Sequence, residues 1–285
     1  MTTTVLRRPA VACALLAGAA ILFSALGAAP AAAQTSDLVN RATLRVCADP
    51  ADMPLSNEKG EGFENKIAEL LAKDLGVPLA YTWFPDATGF YRMTLGIKRC
   101  DVKLGVVQGA DPFLNTNAFM RSTSILMVKK GGPLEGVDSL SDEKLKDKKI
   151  GVVAGTPAAS YVLKYGLMGK AKPYNLTVDR RYESPVEDMI KDIQSGAIDA
   201  GIFWGPIGGY FAKQAGDIAT TALLKEKGGP PLIYRFTFGV RPGEENWKHR
   251  LNEFITKNQG EINKILRAYN VPLVDEQDKP IEVAQ

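Results

Sequence analysis

From residue 43 onward, apolar positions switch repeatedly between alternating and helical spacing. Residues 43–48 (TLRVCA) predict a short strand. Two prolines make 49–54 a loop, and 57–62 is polar and turn-like. Phe63, Ile67, Leu70, Leu71 and Leu75 then share one helical face, with Gly76 and Pro78 as the stop. Residues 79–84 predict a second strand, 90–95 a short helix and 101–107 a third strand. This β-α-β-α-β order is that of an open α/β sheet.

A strand over 123–129 (TSILMVK) leads to Gly131-Gly132-Pro133. Beyond it the pattern predicts a short charged helix in 141–149, a strand over 150–153 and a helix opened by Thr156 as N-cap and Pro157 at N1. Ser184-Pro185-Val186-Glu187 reads as a capping box for a helix that ends at Gly196. A strand over 198–203, with Asp199 inside it, and a helix from Trp204-Gly205-Pro206 complete this second set. After Gly228-Gly229-Pro230-Pro231, residues 232–240 predict a strand. Trp247, Leu251, Phe254, Ile255, Ile262, Ile265, Leu266 and Tyr269 predict a helix to near 270 that Gly260 splits. The tail from Val271 reads as polar and loose. The two Gly/Pro breaks set the expected organisation. One unit spans 34–130 and 232–285, and a second, 131–231, is inserted in it. The chain passes between them twice, with a cleft between the lobes.

Residues 1–33 have a different composition. Arg7-Arg8 precedes an apolar run over 11–26, and Ala31-Ala32-Ala33 stands before Gln34. This is the pattern of a secretory signal peptide, cleaved after about Ala33 and directing the chain to the periplasm. The whole chain carries a formal charge of +3, and removing Arg7 and Arg8 leaves +1. That balance lacks the clustered basic excess that nucleic acid binding requires. His249 is the one histidine in the sequence, which excludes most histidine-based metal sites and triads. Cys13 leaves with the leader. Cys47 and Cys100 remain as an even pair in an oxidising compartment, which predicts a disulfide; two buried free thiols are the other reading.

Several segments carry a family resemblance. TLRVCADP, MPLSN, GEGFENKIAELLAKDLG, SLSDEKLKDKKIGVVAGT and DMIKDIQSGAIDAGIFWGP resemble periplasmic solute-binding proteins of the amino-acid-transporter type. RVCADP, KRCDVKLGV, EGFENKIAELLA and IFWGPIGGYFAK are similar to one branch: the binding-protein-like component associated with PQQ-dependent methanol dehydrogenases, of the MxaJ/XoxJ type. Within that branch the resemblance leans to XoxJ, which accompanies the lanthanide-dependent enzyme. It implies a two-lobed type II periplasmic binding protein fold, a Cys47–Cys100 bridge and a quinoprotein methanol dehydrogenase as partner. PQQ and the metal would belong to that dehydrogenase, and no cofactor is expected on this chain.

The residues then bear on what the cleft does. Amino-acid receptors hold a zwitterion between opposed charges, because each ligand charge loses water on closure. After the second-unit strand this sequence has Trp204-Gly205-Pro206, with no carboxylate, and residues 109–116 contain no arginine. Arg121 follows at the start of the crossover strand and is a cleft candidate. Asp49, Met53, Pro54, Trp83, Trp204 and Tyr210 are candidates for the cleft wall; Phe63 reads rather as core. The helix starts at Gly155-Thr156 and Trp204-Gly205 either offer N–H groups to an anion or are ordinary capped ends facing water. No carboxylate, lysine or histidine constellation for catalysis is visible, so the chain reads as a non-enzyme. The expected function is assistance in the maturation or activation of a methanol dehydrogenase through an apolar cleft. The alternative is a receptor delivering a small polar or amino-acid-like solute to an ABC importer.

Overall fold

The computed structural model describes residues 38–281. The expected leader and its cleavage site lie outside them. In chain order the strands and helices are β1 Leu44–Ala48, β2 Ala51–Asp52, β3 Ser56–Asn57, α1 Phe63–Leu75, β4 Leu79–Trp83, α2 Phe90–Met93, β5 Val102–Val107, β6 Leu114–Lys129, β7 Ile150–Val153, α3 Pro157–Lys164, β8 Lys172–Tyr174, α4 Pro185–Ser195, β9 Ala200–Trp204, α5 Gly205–Ala215, β10 Ile218–Ala222, β11 Ile233–Val240 and α6 Glu245–Ala268.

One mixed sheet runs β4-β1-β5-β11-β6-β9-β7-β8, with β10 also paired to β6. β6 is common to both halves. Its first part pairs antiparallel with β11, from Leu114↔Val240 to Thr123↔Ile233. Its last part lies between β9 and β10. Leu126 and Val128 enter one apolar cluster with Ile150, Val152 and Ile202, while Ile125 and Met127 enter another with Met189, Ile190 and Ile193. Burial on both faces explains the unbroken apolar run, since successive strand residues point to opposite sides. The other half packs Val46, Val102 and Leu104 against α1 and α6 through Phe63, Ile67, Leu71, Leu251, Phe254 and Ile262.

Several expectations require correction. The strand predicted over 123–129 starts at Leu114, because partners distant in sequence satisfy its polar residues. Asn115 donates to Thr237 Oγ1 at 3.0 Å, Asn117 N to Asn252 Oδ1 at 2.7 Å, and Ser122 Oγ to the Pro272 carbonyl at 2.7 Å. β8 and β10 are short edge strands, and β2 and β3 a small hairpin within the expected loop and turn, that the pattern did not predict. The charged helix of 141–149 is a single turn, Glu143–Leu145. Asp199 precedes its strand, and its carboxylate accepts from Lys149 N at 2.8 Å. The box at Ser184 is absent: its side chain makes no capping bond. α6 runs unbroken through Gly260, because the buried face on either side of the glycine outweighs its helix cost of about 1 kcal/mol. The tail is not loose up to residue 281. Val271, Leu273 and Val274 are buried, and Ser122↔Leu273 and Val274↔Pro280 form bridges.

Cys47 and Cys100 form a disulfide with Cα atoms 5.5 Å apart, packed against Phe90 and Leu95. Beside it, Asp101 is 1% exposed and is clamped by Arg45 at 2.7 Å and Arg241 at 2.8 Å. Trp247 Nε1 donates to the Asp101 carbonyl at 3.0 Å.

Candidate functional site

A cavity of about 560 Å³ opens where β5, β7 and β9 end and the two long strands cross. Its position follows the general rule for open α/β sheets, whose ligand sites lie beyond the carboxyl ends of the strands. The β2–β3 hairpin contributes Asp52 and Met53. Tyr234 and Phe236 lie two apart on β11 and so present to the same side. Ile202, Phe203 and Trp204 come from the end of β9, Ile207 and Phe211 from α5, and Thr156 from the start of α3. The Trp204 ring lies 5.2 Å from Phe236 and 6.0 Å from Tyr234, forming an aromatic wall. Cavities of this size match those that enclose small ligands or side chains.

The wall also carries charge. Asp52, Glu183 and Glu187 line the cavity, and Arg180 is the sole basic side chain among the described lining residues. Arg180 Nη1 meets Asp52 Oδ1 in an ion pair between the hairpin on one side and the loop 175–184 on the other. The Asp52 side chain is 5% exposed and that of Arg180 is 43% exposed. Burial lowers the Arg180 guanidinium from its usual value and the Asp49 charge pulls it back; an arginine so placed keeps its charge. The cavity wall is therefore mostly apolar, with one opposed charge pair and two further carboxylates.

Of the residues expected in the cleft, Met53, Thr156 and Trp204 line this cavity. Thr156 Oγ1 donates to the Val153 carbonyl at 2.7 Å and makes no capping bond. The others lie elsewhere. Asp49 accepts from Ala51 N at 2.8 Å and Asp86 N at 2.6 Å, bracing the loop after β1. Pro54 is buried, and its carbonyl accepts from Phe63 N at 2.8 Å. Trp83 stacks on Tyr81 at 4.5 Å against the first core. The Arg121 guanidinium is engaged by the Asp275 carbonyl, Glu276 and Asp278. Gly155 adopts a φ of 76° just before α3. Gly205 sits under Thr123 and Pro272, and Tyr210 stacks on Tyr269 at 5.8 Å.

Sequence reasoning missed Asp52, Arg180, Glu183, Glu187, Tyr234 and Phe236. The aromatic pair had a signal, the alternation in YRF on β11. The charged residues had none, since they sit on a two-residue hairpin strand, a loop and a helix start that only the fold brings together.

A second polar cluster lies under β5. Lys103 is buried, 2.9 Å from Asp86 and 5.0 Å from the Phe90 ring centroid. Burial lowers its ammonium, but Asp86 and Glu64 outweigh that and hold it above its ordinary value. Burial pushes the Glu64 carboxyl up to about 7, against the opposing charge of Lys103.

No protein-family model matches the chain. It is similar to the crystal structure of the periplasmic binding protein XoxJ from Methylobacterium extorquens AM1. The two are 38% identical, with a TM-score of 0.70, over 82% of this chain and 100% of that one. The protein MoxJ of Methylorubrum extorquens is 26% identical over 94% of this chain and 96% of its own length. The crystal structure of MxaJ from Methlophaga aminisulfidivorans MPT has the same fold, with a TM-score of 0.69 at 22% identity over 81% of this chain and 100% of that chain. The full-length match at 38% identity shows that the chain belongs to the XoxJ family of periplasmic binding proteins, of the MxaJ/XoxJ type, with their two-lobed type II fold.

Proposed function

We propose that this protein is a non-catalytic periplasmic accessory of a PQQ-dependent methanol dehydrogenase, of the lanthanide-using type, and assists its maturation or activation. Residues 34–130 with 232–285 form one lobe in this reading and 131–231 the other, and the cavity between them receives part of the partner. One observation carries the reading. The sole basic side chain among the described lining residues, Arg180, is already paired with Asp52, and most of the remaining wall is aromatic and aliphatic, with Glu183 and Glu187 as its other charges. A zwitterion's carboxylate would find no free cation among the described lining residues, whereas apolar side chains of a macromolecule would bury well, at about 1.5–3 kcal/mol each. The family membership supports the same reading. PQQ and the metal belong to the dehydrogenase.

The test is reconstitution of the purified dehydrogenase from its apo form with and without this protein, alongside co-purification from periplasm. Faster or fuller activation and a retained complex are expected. No complex at micromolar concentration and no change in activation would overturn the reading.

A small-solute receptor is the second reading, favoured by the buried carboxylate at the cavity rim. A thermal-shift screen separates the two. A solute present at 100 times its Kd stabilises by about 2.7 kcal/mol, so a saturable shift with one amino acid would favour the receptor.

A further inference from the structure

We infer that Arg180 is a built-in plug, and that the cavity's true occupant is a cationic side chain, arginine or lysine, of an apolar segment of the partner protein. The inference rests on the accessory reading above and names what enters the site. Asp52 is the buried charge of the cavity, and its carboxylate meets Arg180. If Arg180 withdrew with nothing in its place, a carboxylate nine-tenths buried would be left unpaired at high cost. Withdrawal is therefore coupled to the arrival of another cation. Arg180 can supply that vacancy because its own side chain is 43% exposed and regains water when it leaves. The remaining lining charges, Glu183 and Glu187, are also acidic. Three carboxylates against one guanidinium favour an incoming cation and disfavour an incoming carboxylate.

The surroundings favour a chain segment over a free amine. The loop that carries Arg180 presents Leu176 at 60% and Tyr182 at 81% exposure, and Leu176 also lines the cavity. These exposed apolar side chains on the Arg180 loop suit residues on either side of the inserted cation, which a small amine does not possess. The aromatic wall of Trp204, Tyr234 and Phe236 suits the aliphatic stem of the inserted side chain and offers cation–π contact to its head.

The experiment is calorimetric titration of the purified protein and its R180Q, R180K and D52N forms. The probes are acetyl-Phe-Arg-Phe-amide, its citrulline counterpart and phenethylammonium, and circular dichroism verifies that each variant is folded. R180Q should bind the arginine peptide at least tenfold more tightly than the unaltered protein, while R180K, which keeps a plug, should gain less. D52N should lose the preference for arginine over citrulline. An unchanged affinity in R180Q, equal binding of both peptides by the unaltered protein, no peptide binding by any form, or phenethylammonium binding as tightly as the peptide would overturn the proposal. Capture of the dehydrogenase by the unaltered protein, measured in parallel, separates this from the accessory reading. Capture without the R180Q gain sinks only the plug. The R180Q gain without capture sinks only the dehydrogenase as partner.

Discussion

The Glu64 carboxylate occupies the space above Gly105: a Cβ built at position 105 would lie 2.0 Å from Glu64 Oε1. Gly105 also has a φ of 71°, so backbone and packing both require glycine there. Glu64 is thus held in a buried slot, and this burial raises its pKa to about 7.

That placement predicts a pH dependence. A folded-state pKa above the unfolded value means that the native state binds the extra proton. The stability linked to Glu64 is fully present below about 4.5 and is lost as pH rises through about 7. The loss is on the order of 3 kcal/mol. Urea unfolding at pH 5 and 7.5 should show the unaltered protein weakening more than E64Q. Parallel behaviour of the two would contradict the buried-carboxyl account.

Asp101 predicts a large mutational effect. Its carboxylate is buried and shared by Arg45 and Arg241, and Arg241 also donates to Glu244 at 2.8 Å. D101N removes the charge that compensates a buried guanidinium and should cost about 3–5 kcal/mol. The midpoint of denaturant unfolding reads this directly. A loss under 1 kcal/mol would mean that solvent or Glu244 compensates in its place.

The disulfide predicts redox-dependent stability. Its partners are separated by 53 residues. Closing a loop of that length is worth about 4 kcal/mol in the chain-entropy model. C47S/C100S should be less stable by about that amount, and the unaltered protein should fall to the same level in reductant. Insensitivity of the thermal midpoint to reductant would exclude a structural role for the bridge.

Two glycines predict opposite outcomes for one substitution. Gly260 lies on the exposed face of α6 with open space around a built Cβ, so G260A should stabilise by about 1 kcal/mol. At Gly205 a Cβ would lie 2.2 Å from the Thr123 carbonyl oxygen and 2.4 Å from Pro272 Cγ, so G205A should destabilise by about 1–3 kcal/mol. Thermal unfolding of both variants tests the pair. Stabilisation by G205A would mean that the α5–β6 packing yields easily, and destabilisation by G260A would contradict the open space at Gly260.

How much was legible depended on the range of the interactions involved. α1 announced itself through Phe63, Ile67 and Leu71 and ended at Gly76 as expected, with a φ of 68° there. Helix periodicity and C-terminal glycines are local signals. The first nine residues of β6 had no such signal, because Asn115, Asn117 and Ser122 find their partners on β11, α6 and the tail. The split expected at Gly260 failed because a propensity cost near 1 kcal/mol is small beside burial of Phe254, Ile255, Ile262 and Leu266.

The site divides in the same way. Trp204, Met53 and Thr156, named from the sequence as cleft candidates, line the cavity; Trp204 and Thr156 stand at a predicted strand end and helix start, which are visible locally. Tyr210, Trp83 and Arg121 could not be sorted from them without coordinates, because each has a partner far along the chain: Tyr269 for Tyr210, the first core for Trp83, and the 275–278 loop for Arg121. The sequence by itself determined most of the alternation of strands and helices, the expectation of a Cys47–Cys100 bridge and the relationship to binding proteins, all of which reside in local pattern or residue identity. Only the tertiary structure decided that Asp52 and Arg180 oppose one another across an aromatic cavity. A contact between a hairpin and a distant loop is written in neither segment; it exists because the sheet between them sets their distance.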